Sequence, residues 1–407
     1  MFGCGIGRRS FAKVPRYNDT VPDVLKDVLA LLPSAVCAAV AFFLSFGVSG
    51  ALGFNLAAAA GAFATSMWLL LRHSQWRTAV TSASTACLIA IPLLPIALDH
   101  VRAKPAPATD ELVRQIARVC LPLDSVDDGS GFADLEPLRR IWAGSRVVAL
   151  GEATHGTSEF FRMKHRLTRF LVTQMGFRHV AMELDPEAAA KIDAYIQGGS
   201  VRNPTADLSW PWAAGEVAAM VDWMRKYNQS APEPGRLHFH GIDYQGQRRD
   251  FRMARNTLDL LEDVGPGERI VLWAHNSHVS GGPGWMGSYL KTTLAGQIYL
   301  AGFEFDHGRF TSKLEWVRTY EAEPADSRFY ASALNRTGRP MLFLDFRSVV
   351  ETPAVEAWLQ QARLSHDLAE AYGILRFNPS WVRDDESWPT LYDGIIYIRE
   401  STPAHQL

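Results

Sequence analysis

The sequence predicts an α/β fold, a mostly parallel sheet flanked by helices, preceded by an all-α transmembrane anchor. Three observations predict it. Residues 28–98 form a nearly uncharged block whose only formal charges are Arg72 and Arg77. Beyond that block, short apolar runs alternate with helix-length amphipathic segments, the pattern of strand–helix units. Acids and histidines recur at the ends of those apolar runs, where an open α/β sheet presents its ligand crevice.

The anchor comes first. Runs 28–48, 51–71 and 79–98 are each near the length that the hydrocarbon core of a bilayer requires. Ser49, Gly50 and Gly53 offer a turn between the first two. None has a polar face, which argues against a buried hairpin of a globular core. Arg8, Arg9, Lys13, Arg16 and Lys26 precede the first run, and Arg72 and Arg77 separate the second from the third. By the positive-inside rule these segments are cytoplasmic. The expectation is a multi-pass protein of a bacterial inner membrane, its globular part extracytoplasmic. With two spans instead of three, that part moves to the cytoplasm. The organisation is then 1–27 tail, 28–99 anchor with three transmembrane helices, 100–112 linker and 113–407 globular domain. The Pro- and Ala-rich stretch 103–111 reads as the linker.

The globular part follows in order. Strand candidates are 146–152, 178–185, 237–243, 269–275, 297–305, 340–347 and 394–400. Between them, 158–175 carries Phe160, Phe161, Met163, Leu167, Phe170 and Leu171 at the spacing of one helix face. Segment 186–199 reads as a helix ending at Gly198-Gly199, and 216–228 as another. Glu152 and His155 follow the first strand. Glu183 and Asp185 end the second, Asp243 the third, and His275 the fourth, with His278 three residues on; Asp345 ends a later strand. Four strands ending this way make a constellation suited to general acid–base work.

Blander roles accompany the chemical ones. Thr154, Thr157 or Ser158 caps the helix that follows and so fixes the loop of Glu152 and His155. Asp185, before Pro186, suits a helix N-terminus better than Glu183 does. His238 and His240 alternate with apolar residues and read as packing. Lys164 and His165 read as solvated or supporting helix residues.

These motifs carry a resemblance. GEATHG (151–156) with EFFRMKHRL (159–167), AMELD (181–185), WPW (210–212) with Glu216, FHGIDYQG (239–246), VLWAHNSHV (271–279) and MGSYL (286–290) resemble, in order, the motifs of the erythromycin esterase family. The resemblance makes 113–407 an erythromycin esterase-like catalytic domain. It implies a metal-independent hydrolase that activates water to cleave an ester or lactone, with no cofactor; the anchor read from the apolar runs makes that hydrolase membrane-anchored, a departure from the soluble macrolide esterases. His155 corresponds to the family's general base. Glu152, Glu183, His275 and His278 correspond to its other catalytic positions. Lys164, Trp210, Trp212, Glu216 and Asp243 are the expected substrate-binding residues. Macrolide-hydrolysing members often carry arginine at the position of Lys164, and a lysine offers a point charge instead of a planar fork. Relatives labelled succinoglycan biosynthesis proteins share the domain.

As a mechanism, His155 takes a proton from water, Glu152 or Glu183 orients it, and His275 or His278, with Lys164, polarises the carbonyl. No GxSxG motif is present. Two rivals stand beside this reading. One is a metal-dependent hydrolase with His155, His275, His278 and Glu183 as ligands. The other is a non-catalytic, membrane-tethered domain holding a glycan or lipid head group between Trp210, Trp212, Trp273 and Trp285. The expected partners are a small-molecule or glycan ester and the membrane. A formal net charge of −2 gives no reason to expect nucleic acid. The four cysteines show no ligand or disulfide spacing. Substrate identity and oligomeric state are not readable.

Overall fold

A computed structural model describes residues 106–407 except 128, 201–202, 206–207, 233, 314–315, 369–381 and 384–385. They belong to the second of two units into which the chain divides, Ala103–Leu407. The strands are β1 (Leu121–Pro122), β2 (Val147–Leu150), β3 (His179–Met182), β4 (His238–Gly241), β5 (Ile270–Trp273), β6 (Ile298–Lys313), β7 (Val317–Ala322), β8 (Met341–Asp345), the short pair β9 (Ser365–His366) and β10 (Val382–Arg383), and β11 (Gly394–Ser401). Early helices are α1 (Asp110–Val119), α2 (Glu136–Ile141), α3 (Ser158–Met175), α4 (Pro186–Ile196) and α5 (Gly215–Ser230). Then come α6 (Arg249–Val264), α7 (Asn276–Val279), α8 (Met286–Leu294), α9 (Tyr330–Asn335), α10 (Pro353–Leu359) and α11 (Trp388–Leu391).

All seven apolar runs form strands. β2, β3 and β5 are buried at every residue, as expected of parallel strands covered on both faces. The main sheet has nine strands in the order β1-β8-β11-β6-β2-β5-β3-β4, with β7 on β6. β4, β3, β5, β2, β6 and β11 are mutually parallel. β7 returns along β6, and β8 runs antiparallel to both β11 and β1.

The expected fold class is therefore corrected. The sheet is mixed, because β6 runs on for 16 residues and pairs antiparallel with β7 along its far end, and β8 pairs antiparallel with β11 and β1. The all-α transmembrane anchor and the multi-pass membrane localisation are not supported by any described helix. Among the described residues no helix is long and apolar enough to cross a membrane. The longest, α3, has 18 residues and carries Glu159, Arg162, Lys164, Arg166 and Arg169. The runs at 28–98 that suggested the anchor lie outside the described residues.

Local chemistry sets the helices that matter for the site. Asp185 caps α4, its carboxylate accepting from Glu187 N (2.9 Å) and Ala188 N (3.1 Å), with Pro186 at the first position. α3 closes on Gly176 at φ 78°. Gly176 N and Phe177 N bond back to Val172 O and Leu171 O, a left-handed stop that glycine supplies without strain.

Candidate active site

Four neighbouring strands, β4-β3-β5-β2, carry the polar residues at their carboxyl ends. The loop after β2 holds Glu152 and His155. Gly151 is required there, since a Cβ would collide with the Asn276 side chain; a Cβ on Gly156 would collide with the Thr311 carbonyl. Asn276 in turn ties the end of β2 to β6: its N–H donates to Glu152 O (2.9 Å), its amide to Phe303 O (2.7 Å), and its Oδ1 accepts from Phe303 N (2.9 Å).

Glu152 is fully buried. Its Oε1 lies 2.6 Å from His155 Nδ1. Its Oε2 accepts from Lys164 Nζ (2.6 Å) and from the Trp273 indole (3.1 Å). A buried carboxylate needs such partners, since desolvation costs several kcal/mol per ion. Lys164 is also fully buried and donates to Ala274 O (3.2 Å), with Nζ 4.6 Å from the Trp273 ring centre. Burial lowers its pKa to about 8, against the opposing charge of Glu152. Lys164 thus reaches the site through Glu152, from beneath it.

His155 is nearly buried. Its ring centre is 4.6 Å from that of His275, and Trp210 and Trp212 stand edge-on at 5.9 and 5.6 Å. With Nδ1–H donated to Glu152, Nε2 is the basic nitrogen.

The other half of the cluster is organised by Arg249, at the start of α6. It donates Nε and Nη2 to the two oxygens of Asp243 (2.8 and 2.7 Å), and Nη2 also to Glu183 Oε1 (2.8 Å). Glu183 Oε2 accepts from His275 N (2.8 Å). Burial alone would raise the Glu183 carboxyl, but His278, His155 and Arg249 hold it well below the usual range. His278 lies 3.3 Å from Glu183 Oε1 through Nε2 and 2.8 Å from Asp250 Oδ1 through Nδ1. Burial alone would lower its pKa. The two carboxylates raise it to about 10, although Arg249 Nη1 stands 3.2 Å from Nε2.

His275 caps α7. Its Nδ1 accepts from Ser277 N (3.3 Å) and lies 2.8 Å from Ser277 Oγ and 3.3 Å from Asp367 Oδ1. Its Nε2 is buried and without a hydrogen-bond partner among the described residues. Burial first, then the charge of His155, hold its pKa well below the ordinary value.

The structure thus brings together Glu152, His155, Lys164, Glu183, Asp243, His275 and His278, with Trp210 and Trp212 against His155. Glu216 is bonded elsewhere, to Ser158 Oγ (2.6 Å) and to His405 Nδ1 (2.7 Å). Asp345 accepts from Tyr299 Oη (2.9 Å), three strands from β2. Sequence reasoning missed Arg249, Asp250 and Asp367. Among the described residues no group of three or more His, Cys, Asp or Glu could hold a metal ion. Two surface cavities, each of about 300 Å3, are lined by none of the clustered residues.

The profile of the Erythromycin esterase family matches residues 172–248 and 244–401, more than half of the chain. The match begins within α3, so Glu152, His155 and Lys164 lie outside it. An erythromycin esterase type II of Escherichia coli is 34% identical over 122 residues, 30% of this chain and 28% of that protein. A putative hydrolase of Bacillus subtilis, YbfO, is 27% identical over 143 residues, 34% of this chain and 30% of that protein. The chain thus spans under a third of the length of these curated relatives. The crystal structure of a succinoglycan biosynthesis protein superposes with a TM-score of 0.62 at 22% identity, covering 73% of this chain and 98% of that one; this is a likeness of fold.

Proposed function

Because the chain belongs to the erythromycin esterase family, we propose that it hydrolyses a carboxylic ester or lactone by activating water at the Glu152–His155 pair. The observation that carries this reading is the 2.6 Å bond from His155 Nδ1 to a buried carboxylate. It leaves Nε2 as the base and stabilises the imidazolium that forms.

His155 Nε2 takes one proton from water while the water oxygen bonds to the carbonyl carbon and the carbonyl electrons move onto oxygen. The tetrahedral intermediate then collapses. The alcohol oxygen leaves with the bonding pair and takes the proton from His155 Nε2. For the oxyanion the donor is His275. As the cap of α7 its Nδ1 accepts the Ser277 N–H, so the ring proton sits on Nε2, the atom without a partner. A neutral imidazole with a depressed pKa serves as such a donor without surrendering its proton. His278, held between Glu183 and Asp250, and Arg249, held by Asp243, are a fixed cationic wall beside it. Lys164 holds Glu152 in place.

The same pairing supports a metal-independent reaction. Glu152 already faces an ammonium and Glu183 a guanidinium, which occupies the carboxylate oxygens a cation needs. Trp210 and Trp212 beside His155 favour an ester with an apolar or ring-bearing part, a small molecule or a glycan ester. The test is a panel of carboxylic esters and lactones, with and without chelator. Turnover insensitive to chelator is expected; no turnover on any ester, or turnover lost with the chelator, refutes the reading.

A further inference from the structure

We infer that residues 402–407 are a positioning strap for His155, with Glu159 and Glu216 as its two anchor posts. The inference rests on His155 being the base and goes beyond that role to what holds it. The strap touches both sides of the imidazole's surroundings. On one side it grips the His155 loop. Ser158 N donates to Thr402 O (2.9 Å), Ala404 N to Gly156 O (2.9 Å), and Thr157 bridges to Pro403. Thr402 adds its N–H and hydroxyl to the Glu159 carboxylate (2.7 and 2.6 Å).

On the other side it grips the segment that carries Trp212. Gly215 N donates to His405 O (2.7 Å), Leu407 N to Ala213 O (3.0 Å), and Ala214 bridges to Gln406. Glu216 closes the circuit. Its carboxylate accepts from Ser158 Oγ on the loop side and from His405 N and Nδ1 on the strap (2.6, 3.2 and 2.7 Å). The loop and the tryptophan wall therefore reach a common register through six residues that contribute a single buried apolar side chain, Ala404. Polar bonds with so little burial hold a geometry more than they hold a core. The geometry held is the 5.6 Å spacing of Trp212 from His155. Both acids act through other residues and are positioning groups.

The test uses the full chain with Glu159→Ala, Glu216→Ala and the pair combined, read by amide hydrogen exchange and by kcat and KM. Exchange at residues 153–158 and 213–216 is expected to rise about tenfold in the double variant. On an ester that the parent turns over, kcat is expected to fall by about ten- to a hundredfold with KM nearly unchanged. Glu216→Gln, which retains an acceptor oxygen, should recover most of kcat. Thr402→Val removes one hydroxyl and serves if the double variant does not fold; it should raise exchange at residues 153–158 alone. Unchanged exchange in these segments, or a loss that falls on KM instead of kcat, overturns the strap. Failure of the functional reading is distinguishable: it shows as undiminished turnover in His155→Asn, and leaves the exchange measurements standing.

Discussion

Two of the buried glutamate–histidine pairs in this domain are nearly the same length. Glu152 Oε1 to His155 Nδ1 is 2.6 Å, and Glu304 Oε1 to His366 Nδ1 is 2.7 Å. Both carboxylates are fully buried. Their surroundings differ. Glu152 has an ammonium and an indole N–H on its second oxygen, and its histidine faces another histidine across 4.6 Å. Glu304 is otherwise bonded to backbone N–H groups of Phe305 and His366, and the His366 ring lies between Phe305 and Phe329 at 4.4 and 4.8 Å. Burial raises the Glu304 carboxyl, with His366 opposing. The pair alone does not make a site. A cation beneath the carboxylate and titratable partners around the imidazole do, and Glu152 and His155 have both where Glu304 and His366 have neither.

Three substitutions would sharpen or break that contrast. His155→Asn should lower kcat by roughly 10²–10⁴-fold, the usual worth of a general base, with a smaller loss of stability than His366→Asn because Lys164 and Trp273 still hold Glu152; ester kinetics with denaturant unfolding decide it. His275→Ala should cost roughly 10²–10³-fold in kcat, as loss of one oxyanion donor does, and a loss confined to KM would remove it from that role. His366→Asn should do the reverse. Breaking a buried pair costs about 3 kcal/mol of stability, seen in denaturant unfolding, while kcat per folded molecule holds. A catalytic loss at His366 would erase the distinction between the two pairs.

The smallest effect is in pH dependence. Lys164, with a pKa of about 8, loses its proton as pH rises through that value, and Glu152 loses its counter-charge. kcat/KM should therefore fall above about pH 8. Lys164→Arg keeps the charge at any practical pH and should move the limb upward; a limb that stays put excludes Lys164 as its source. Stability has its own signs. The depressed Glu183 carboxyl contributes stability above its unfolded pKa of 4.5, lost as pH falls through the folded value. Glu304 runs the other way: its raised carboxyl contributes less as pH rises from 4.5 through the folded value. Unfolding of Glu183→Gln and Glu304→Gln across acid pH separates the two.

Much of this site could be read from the sequence because strand ends are local. A short apolar run followed by Glu or His places that residue at a sheet edge whatever the order of strands. Arg249 and Asp250 were not legible, since they begin a helix and look like surface charges until α6 packs against α8. Lys164 left a signal that went unused. It shares a helix face with Phe160, Leu167 and Leu171, so its charge lies where the periodicity calls for an apolar residue. Glu216 and His405 are 189 positions apart, and nothing local joins them. The antiparallel strands escaped for a like reason: the direction of β8 depends on β11, a partner that follows it in the chain.

The contact between Glu159 and Thr402 spans 243 residues of sequence. Closing so large a loop carries a high entropic cost and is slow. The loop of His155 is therefore expected to reach its final shape only after β11 has inserted between β6 and β8. Partly folded chains with most strands paired should be catalytically silent. Recovery of turnover during refolding should lag behind secondary structure, making activity a clock for the last step of assembly.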